Sequence, residues 1–266
     1  MNAYLSLMKT RYLNNLQYRA AAVSGCLTQV AWGFIHVLVF RAFYQTGAEA
    51  PMSMQAVVSY TWLRQAFLAL FMKWYYDREI MESIQSGSIA VDLCRPIDLY
   101  PFWFVKTLAV RFARASLRCV PILLLAFLLP SPIGLALPAS PSACLLFLLT
   151  MLLGVLVLTA MTMLLYTSAF YTLSTTGIAQ VSVVALEFLC GDLIPLPFYP
   201  KALYRILSWL PFGATSNVPY RIYSGDLAGR EMVFAIVMQG FWLFALVSLG
   251  YLWNRRSIRR VVIQGG

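Results

Sequence analysis

From Cys119 to Leu186 the chain carries no charged residue. A soluble globular protein is interrupted by charge far more often, since about a quarter of its residues are ionised. Over the full 266 residues the charged share is 11% and the apolar share 61%. One soluble core cannot bury that surplus, so part of the surface must face hydrocarbon. Backbone polar groups in hydrocarbon must be satisfied internally, and runs of this length satisfy theirs as helices.

The apolar runs predict an all-α polytopic membrane protein, a single transmembrane domain over residues 1–266. Six spans fall at 20–44, 52–76, 102–129, 142–171, 178–193 and 231–253. The first contains the uncharged stretch Ala20–Phe40, long enough to cross about 30 Å of hydrocarbon. Residues 1–18 have two readings. In one, Tyr4, Leu5, Met8, Tyr12 and Leu16 form the apolar face of an interfacial helix; in the other, the segment is the frayed start of the first span. MNAYLSLMKTRYLNNLQYR lacks the basic tip, apolar core and small-residue cleavage site of a signal peptide. The four prolines in 130–141 mark a turn, and Leu173–Gly177 (LSTTG) a tight connection.

Basic residues set the orientation. Lys9, Arg11, Arg19, Lys73, Arg78, Arg95, Lys106 and the Arg255–Arg260 cluster gather on one side, which places both termini and the 77–101 loop in the cytoplasm. Residues 194–230 then lie outside. Their LPFYPKALYRILSWLPF stretch is too polar to span and too apolar for a plain loop, so short re-entrant or surface helices are expected there. The net charge of +10 fits membrane orientation and anionic headgroups; no basic patch sits on a nucleic-acid-binding scaffold. Cys26, Cys94, Cys119, Cys144 and Cys190 are scattered without a CxxC pair, which argues against a zinc site or disulfide framework.

No HExxH, GxSxG or Walker motif is present, and no carboxylate cluster. The ionisable groups inside spans are therefore the candidates. Arg64 sits midway along the second span and must face the interior or a wet cavity. Arg111, Arg114 and Arg118 share one helical stripe; snorkelling accounts for the first two, while a cation-lined vestibule would use Arg114 and Arg118. Glu187 either lines a pathway or, with Asp192, pairs externally with Lys201, Arg205 or Arg221. Gln29 is a polar member of the first span. His36 reads as an interhelical hydrogen-bond partner.

The Lys73–Pro101 stretch holds half of the acidic residues. Asp77–Gln85 predicts a short helix with Ile80, Met81 and Ile84 on one side and Arg78, Glu79 and Glu82 elsewhere. Ser86-Gly87-Ser88 stops it, and Arg95-Pro96 breaks the chain before the next span. An apolar edge on a short cytoplasmic helix suits docking in a groove of another protein, and the acidic residues argue against an anionic leaflet as the partner.

EIMESIQSGSIAVDLCRPID, IPLPFYPKALYRILSWLPF and NVPYRIYSGDL together resemble the permease subunits of bacterial ABC-2 type exporters. The resemblance covers essentially the whole chain. It implies an elbow helix over 1–18 and a coupling helix including Asp77, Arg78, Glu79, Ile80, Met81, Glu82 and Ile84, positioned by Gly87, Arg95 and Pro96. It implies short external helices over 194–230 that cap a pathway lined by the first, second and fifth spans. Candidate pathway residues are Gln29, Arg64, Arg114, Arg118 and Glu187. Two permeases, identical or related, would pair with two ATPase subunits that carry ATP and Mg, in the bacterial cytoplasmic membrane. The chain would hold no cofactor, no metal and no catalytic residue, would not bind nucleic acid, and would export an amphiphilic or hydrophobic substrate. The alternative is a membrane-embedded enzyme acting on a lipid-linked substrate through Glu187, Asp192 and His36.

Overall fold

A computed structural model describes residues 2–47, 49–172 and 175–259, which form helices and turns and contain no strand. In chain order the helices are α1 (Asn2–Asn15), α2 (Arg19–Gln45), α3 (Met54–Ala66), α4 (Leu68–Phe71), α5 (Arg78–Ser86), α6 (Ile89–Leu93), α7 (Leu99–Leu128), α8 (Pro141–Ser168), α9 (Thr175–Leu189), α10 (Lys201–Trp209), α11 (Asn217–Tyr223) and α12 (Gly229–Ile258). Side-chain caps fix several starts: Ser53 accepts from the Ala56 amide, Asp98 from Tyr100 and Ser140 from Ala143. Among the described residues, α2, α8 (extended by one turn to Tyr171) and α12 are long and apolar enough to cross a membrane.

The core is built around α3, in which every residue from Ala56 to Leu63 is buried. A helix apolar on all sides must be enclosed, and α2, α7 and α11 enclose it. Trp62 packs edge-on against Phe34 and donates to the Ile133 carbonyl at 2.7 Å. Tyr60 and Phe71 both meet the Tyr220 ring.

The helix expected over 52–76 is shorter and broken. Phe67 leaves helical geometry between α3 and α4, and the chain turns extended at Met72. The cause is Arg111. Its buried guanidinium donates to the Leu70 and Met72 carbonyls at 3.1 and 2.8 Å, and to Thr162 Oγ1 at 3.3 Å. The first two acceptors are carbonyls that a continuing helix would satisfy itself. Arg111 is thus a buried cap and not a snorkelling anchor.

Other boundaries shift as well. α1 ends at Asn15, and its inward side carries Tyr4, Met8 and Tyr12, but Leu5 is exposed. Tyr12 donates to Ser116 of α7 at 3.0 Å. α7 begins at Leu99, inside the stretch read as loop, and α9 runs over Thr175–Leu189 where 178–193 was expected. Of the expected LSTTG connection, Leu173 and Ser174 lie outside the described residues, and the remainder belongs to α9.

The α10–α11 pair folds back against the middle of the long helices. Thr215, in the turn between them, presses its carbonyl against Gly154, the midpoint of α8; a Cβ there would stand 2.6 Å from the Thr215 oxygen. Gln239, near the middle of α12, donates to the Thr150 and Ala214 carbonyls at 3.1 and 3.0 Å, and Trp242 donates to the Trp209 carbonyl. Side chains of the long helices thus satisfy irregular backbone at their mid-height, as such backbone requires within a membrane. α11 is buried along its whole length. Gly154→Ala should therefore lower the melting midpoint in detergent, with a loss of about 1–3 kcal/mol from overpacking. Gly240→Ala in α12, where a Cβ meets nothing within 4 Å, should leave the midpoint unchanged or raise it.

Candidate functional site

Two regions carry the polar groups. The first surrounds the short helix α5. Asp77 caps it, accepting from the Glu79 amide at 3.1 Å, and Gly87 ends it with φ 74°. The Asp77 amide donates to the Tyr166 hydroxyl of α8 at 2.7 Å. Lys106 of α7, nearly buried, pairs with Asp77 Oδ2 and Glu79 Oε2, both at 2.8 Å. Both long helices therefore grip the N-terminus of α5. The Lys106 ammonium holds the exposed Glu79 carboxyl below its usual range, first by its hydrogen bond and then by its charge.

The apolar side of α5 does not face outward as expected. Ile80 and Met81 are buried and Ile84 half-buried against Leu99, Tyr100, Trp103 and Tyr166 of this same chain. The α7 and α8 ends extend far enough to cover that edge, a tertiary fact that the helix's own periodicity does not carry. The outer side is polar: Arg78, Glu79, Glu82 and Ser86 are exposed, followed by Val91 of α6 and by Arg95 and Pro96. Arg95 pairs with Asp92 at 3.2 Å.

The second region is an open cleft of about 560 Å³ lined by α2, α3, α4, α7, α9 and the segments that follow α4 and α9. It brings together Gln29, Arg64, Arg118 and Glu187, with His36 and Asp192. Arg114 is not among them. It stacks on the Tyr75 ring at 4.1 Å and faces a separate crevice beside Arg11 and Lys106. Arg114 and Arg118 share a face one turn apart, about 6 Å along α7, and that axial step sends them into different spaces.

Arg64 donates to His36 Nε2 at 3.1 Å, and His36 Nδ1 lies 2.7 Å from the Trp32 carbonyl. A guanidinium only donates. Nε2 must therefore accept, so Nδ1 carries the proton given to Trp32, and the imidazole is neutral. Both ring nitrogens are committed. Arg118 donates to the Ala21 carbonyl at 3.3 Å.

Asp192 does not pair with Lys201, Arg205 or Arg221. It forms an ion pair with Lys73, whose side chain is fully buried, and accepts from Ser216 Oγ at 3.2 Å. Arg221 instead donates to Asp226 at 2.5 Å and to the Tyr204 hydroxyl at 2.8 Å. Lys73 had been counted among cytoplasmic loop charges; it is the pin between the broken end of α4 and the α10–α11 turn. Lys73, Lys106 and Arg111 are the buried, partnered cations that sequence reasoning did not single out as structural. The available signal was position: each directly borders or interrupts an apolar helix, where a lone cation needs a built partner.

Fold and site together define an α-helical membrane protein with a helix pair packed back against the long helices, a charged cleft and a clamped short helix, α5. The family model described as ABC-2 family transporter protein matches residues 30–265. The chain belongs to that family and is a membrane component of an ABC transporter. No curated protein matches the sequence.

Removing one partner of the buried pair should be severe. Lys73→Met or Asp192→Leu alone is expected to lose about 3–5 kcal/mol, and the double substitution to recover most of it, because two apolar groups replace a pair that the interior had to desolvate. Thermal melts of the three variants in detergent check this.

Proposed function

We propose that the chain is the permease subunit of an ATP-driven exporter, and that it forms the substrate pathway as a dimer with an identical or related permease. Two separate ATPase subunits supply ATP and Mg. α5 is the coupling helix. The observation that carries this reading is the double grip on its N-terminus, by Lys106 from α7 and Tyr166 from α8. A helix that only covered the membrane surface would not need fastening to two long helices at once. Fastened so, a push on its outer face moves α7 and α8.

In this reading six segments cross the bacterial cytoplasmic membrane: α2, α3 with α4, α7, α8, α9 and α12. Both termini are cytoplasmic, and α10 and α11 enter from outside. The ATPase meets the polar face of α5 and the start of the 87–96 segment rather than an apolar edge. The cleft is the pathway's lining on one protomer, suited to an amphiphilic or hydrophobic molecule. The enzyme alternative gains nothing from the cleft, since His36 has no free nitrogen and Asp192 is held by Lys73.

The test is co-purification with the cognate ATPase, followed by substrate-stimulated ATP hydrolysis in lipid. Glu82→Lys should cut complex recovery about tenfold without moving the melting midpoint. Lys106→Ala should keep the complex but abolish stimulation. Recovery and stimulation at wild-type levels in both variants would refute the role of α5.

Acid should act on the same grip. Because the Glu79 carboxyl is depressed in the folded state, its contribution is present above the ordinary carboxylate range and is lost as pH falls through the depressed one. Stimulation in wild type should fall on acidification, whereas Glu79→Gln should show reduced stimulation that no longer depends on this titration. Stimulation profiles over acid pH for the two proteins check it.

A further inference from the structure

Two guanidinium groups, Arg64 and Arg118, open into the cleft, and neither has a carboxylate within 4.0 Å among the described residues. Arg64 has a neutral imidazole for a partner and Arg118 a backbone carbonyl. His36 lies near the middle of α2, so Arg64 is deep in the apolar zone. A cation at that depth is expensive unless it meets a counter-charge. Elsewhere this chain supplies one: Lys73 has Asp192, Lys106 has Asp77 and Glu79, and Arg221 has Asp226.

A third polar group points the same way. Gln29 is 4% exposed, lines the same cleft, and its side-chain oxygen finds no hydrogen-bond partner. An unsatisfied buried amide carries a penalty of about 1–3 kcal/mol. The walls around these groups carry the exposed large side chains Trp32, Trp74 and Leu193, together with Glu187 and with Asp192, which Lys73 neutralises. The Arg118 guanidinium is seated against α2 at Gly25, where a Cβ would stand 2.7 Å from its Cζ. It is held in place on the wall and does not trail into the headgroup layer.

We propose that the cleft binds an anionic amphiphile, with Arg64 and Arg118 as counter-charges to its headgroup, Gln29 meeting a hydrogen-bond donor on that headgroup, and the tail lying against Trp32 and Leu193. A monoalkyl phosphate has this chemistry: two or more anionic oxygens for forked guanidinium donors and a P–OH. The claim that the amphiphile is cargo rests on the transporter reading; the claim that it binds does not. The same headgroup chemistry occurs in an exported molecule and in an anionic phospholipid of the bilayer.

The experiment measures equilibrium binding of radiolabelled dodecyl phosphate to the full chain in nanodiscs of phosphatidylcholine, with dodecyltrimethylammonium as the cationic control. The phosphate should bind at least tenfold more tightly than the cation. Arg64→Gln and Arg118→Gln should each weaken it about tenfold, and Gln29→Leu about threefold. Arg64→Lys and Arg118→Lys, which keep the charge, should stay within about threefold of wild type, showing that the loss is of charge and not of fold. Arg255→Gln, distant from the cleft, should change nothing. Equal binding of the two probes, or unaltered binding in the Arg64→Gln/Arg118→Gln double variant, overturns the proposal. Adding phosphatidylglycerol to the nanodiscs separates the sources: competition makes the occupant a resident lipid, and its absence makes it a free amphiphile. Intact, charge-dependent binding with no effect of dodecyl phosphate on ATP hydrolysis by the assembled complex would refute the cargo claim and leave the site standing.

Discussion

A cation withdrawn from water has to be given acceptors, and most of this architecture follows from where three such cations were placed. Arg111 takes the carbonyls of Leu70 and Met72 and so ends the second hydrophobic segment early. The chain released there carries Lys73, which can be buried only because Asp192 comes to meet it from beyond α9. Asp192 in turn holds Ser216, at the base of the α10–α11 turn. Four residues farther on from Lys73, Asp77 reaches Lys106 and starts α5. The broken helix, the inward-packed α10–α11 pair and the short helix α5 are thus consecutive solutions to one electrostatic problem.

This chain of contacts also relates the two polar regions. Lys106 and Arg118 stand twelve residues apart on α7, about 18 Å along one continuous helix. In the proposed reading, a displacement of α5 would reach the cleft through α7, and again through the short Lys73–Asp77 segment that runs from the cleft's edge to the α5 cap. The coupling rests on rigid elements in direct contact, the kind of route for which two discrete arrangements can be sought.

Much of the helical layout was legible in the sequence. The apolar middles of α2, α8 and α12 follow from hydrophobic length, though α12 runs beyond the expected 231–253 to Gly229–Ile258 and takes in Arg255 and Arg256; the bounds of α5 follow from Asp77 as cap and Gly87 as stop. The resemblance to ABC-2 permeases, read from the 79–98 and 194–227 stretches, agrees with the family match. What could not be read was tertiary. The apolar positions of α5 announce that one side is buried but not by what, and the burying surface turned out to be Tyr100, Trp103 and Tyr166 of the same chain. The charge count that sets orientation treats every lysine as solvated, so Lys73 and Lys106 were spent on topology when each is committed to a carboxylate. Arg114 and Arg118 share a stripe on paper, yet Tyr75 captures one and the cleft the other. Gln29, Arg64, Arg118 and Glu187 are far apart in sequence, and only the packing of α2, α3, α7 and α9 makes them neighbours.

The central claim of the proposed function is that α5 moves as one body with α7, so that a push on α5 shifts the α7 wall of the cleft relative to its α2 wall. Spin labels placed by cysteine substitution in a cysteine-free background at Ser86, on the exposed end of α5, at Leu117 on α7 and at Val23 on α2 would test it, by pulsed dipolar distances in the complex with its ATPase, with and without ATP. An unchanged Ser86–Leu117 distance with a shifted Ser86–Val23 distance is the result this account predicts. A Ser86–Leu117 distance that changes between nucleotide states while Ser86–Val23 stays fixed would contradict it.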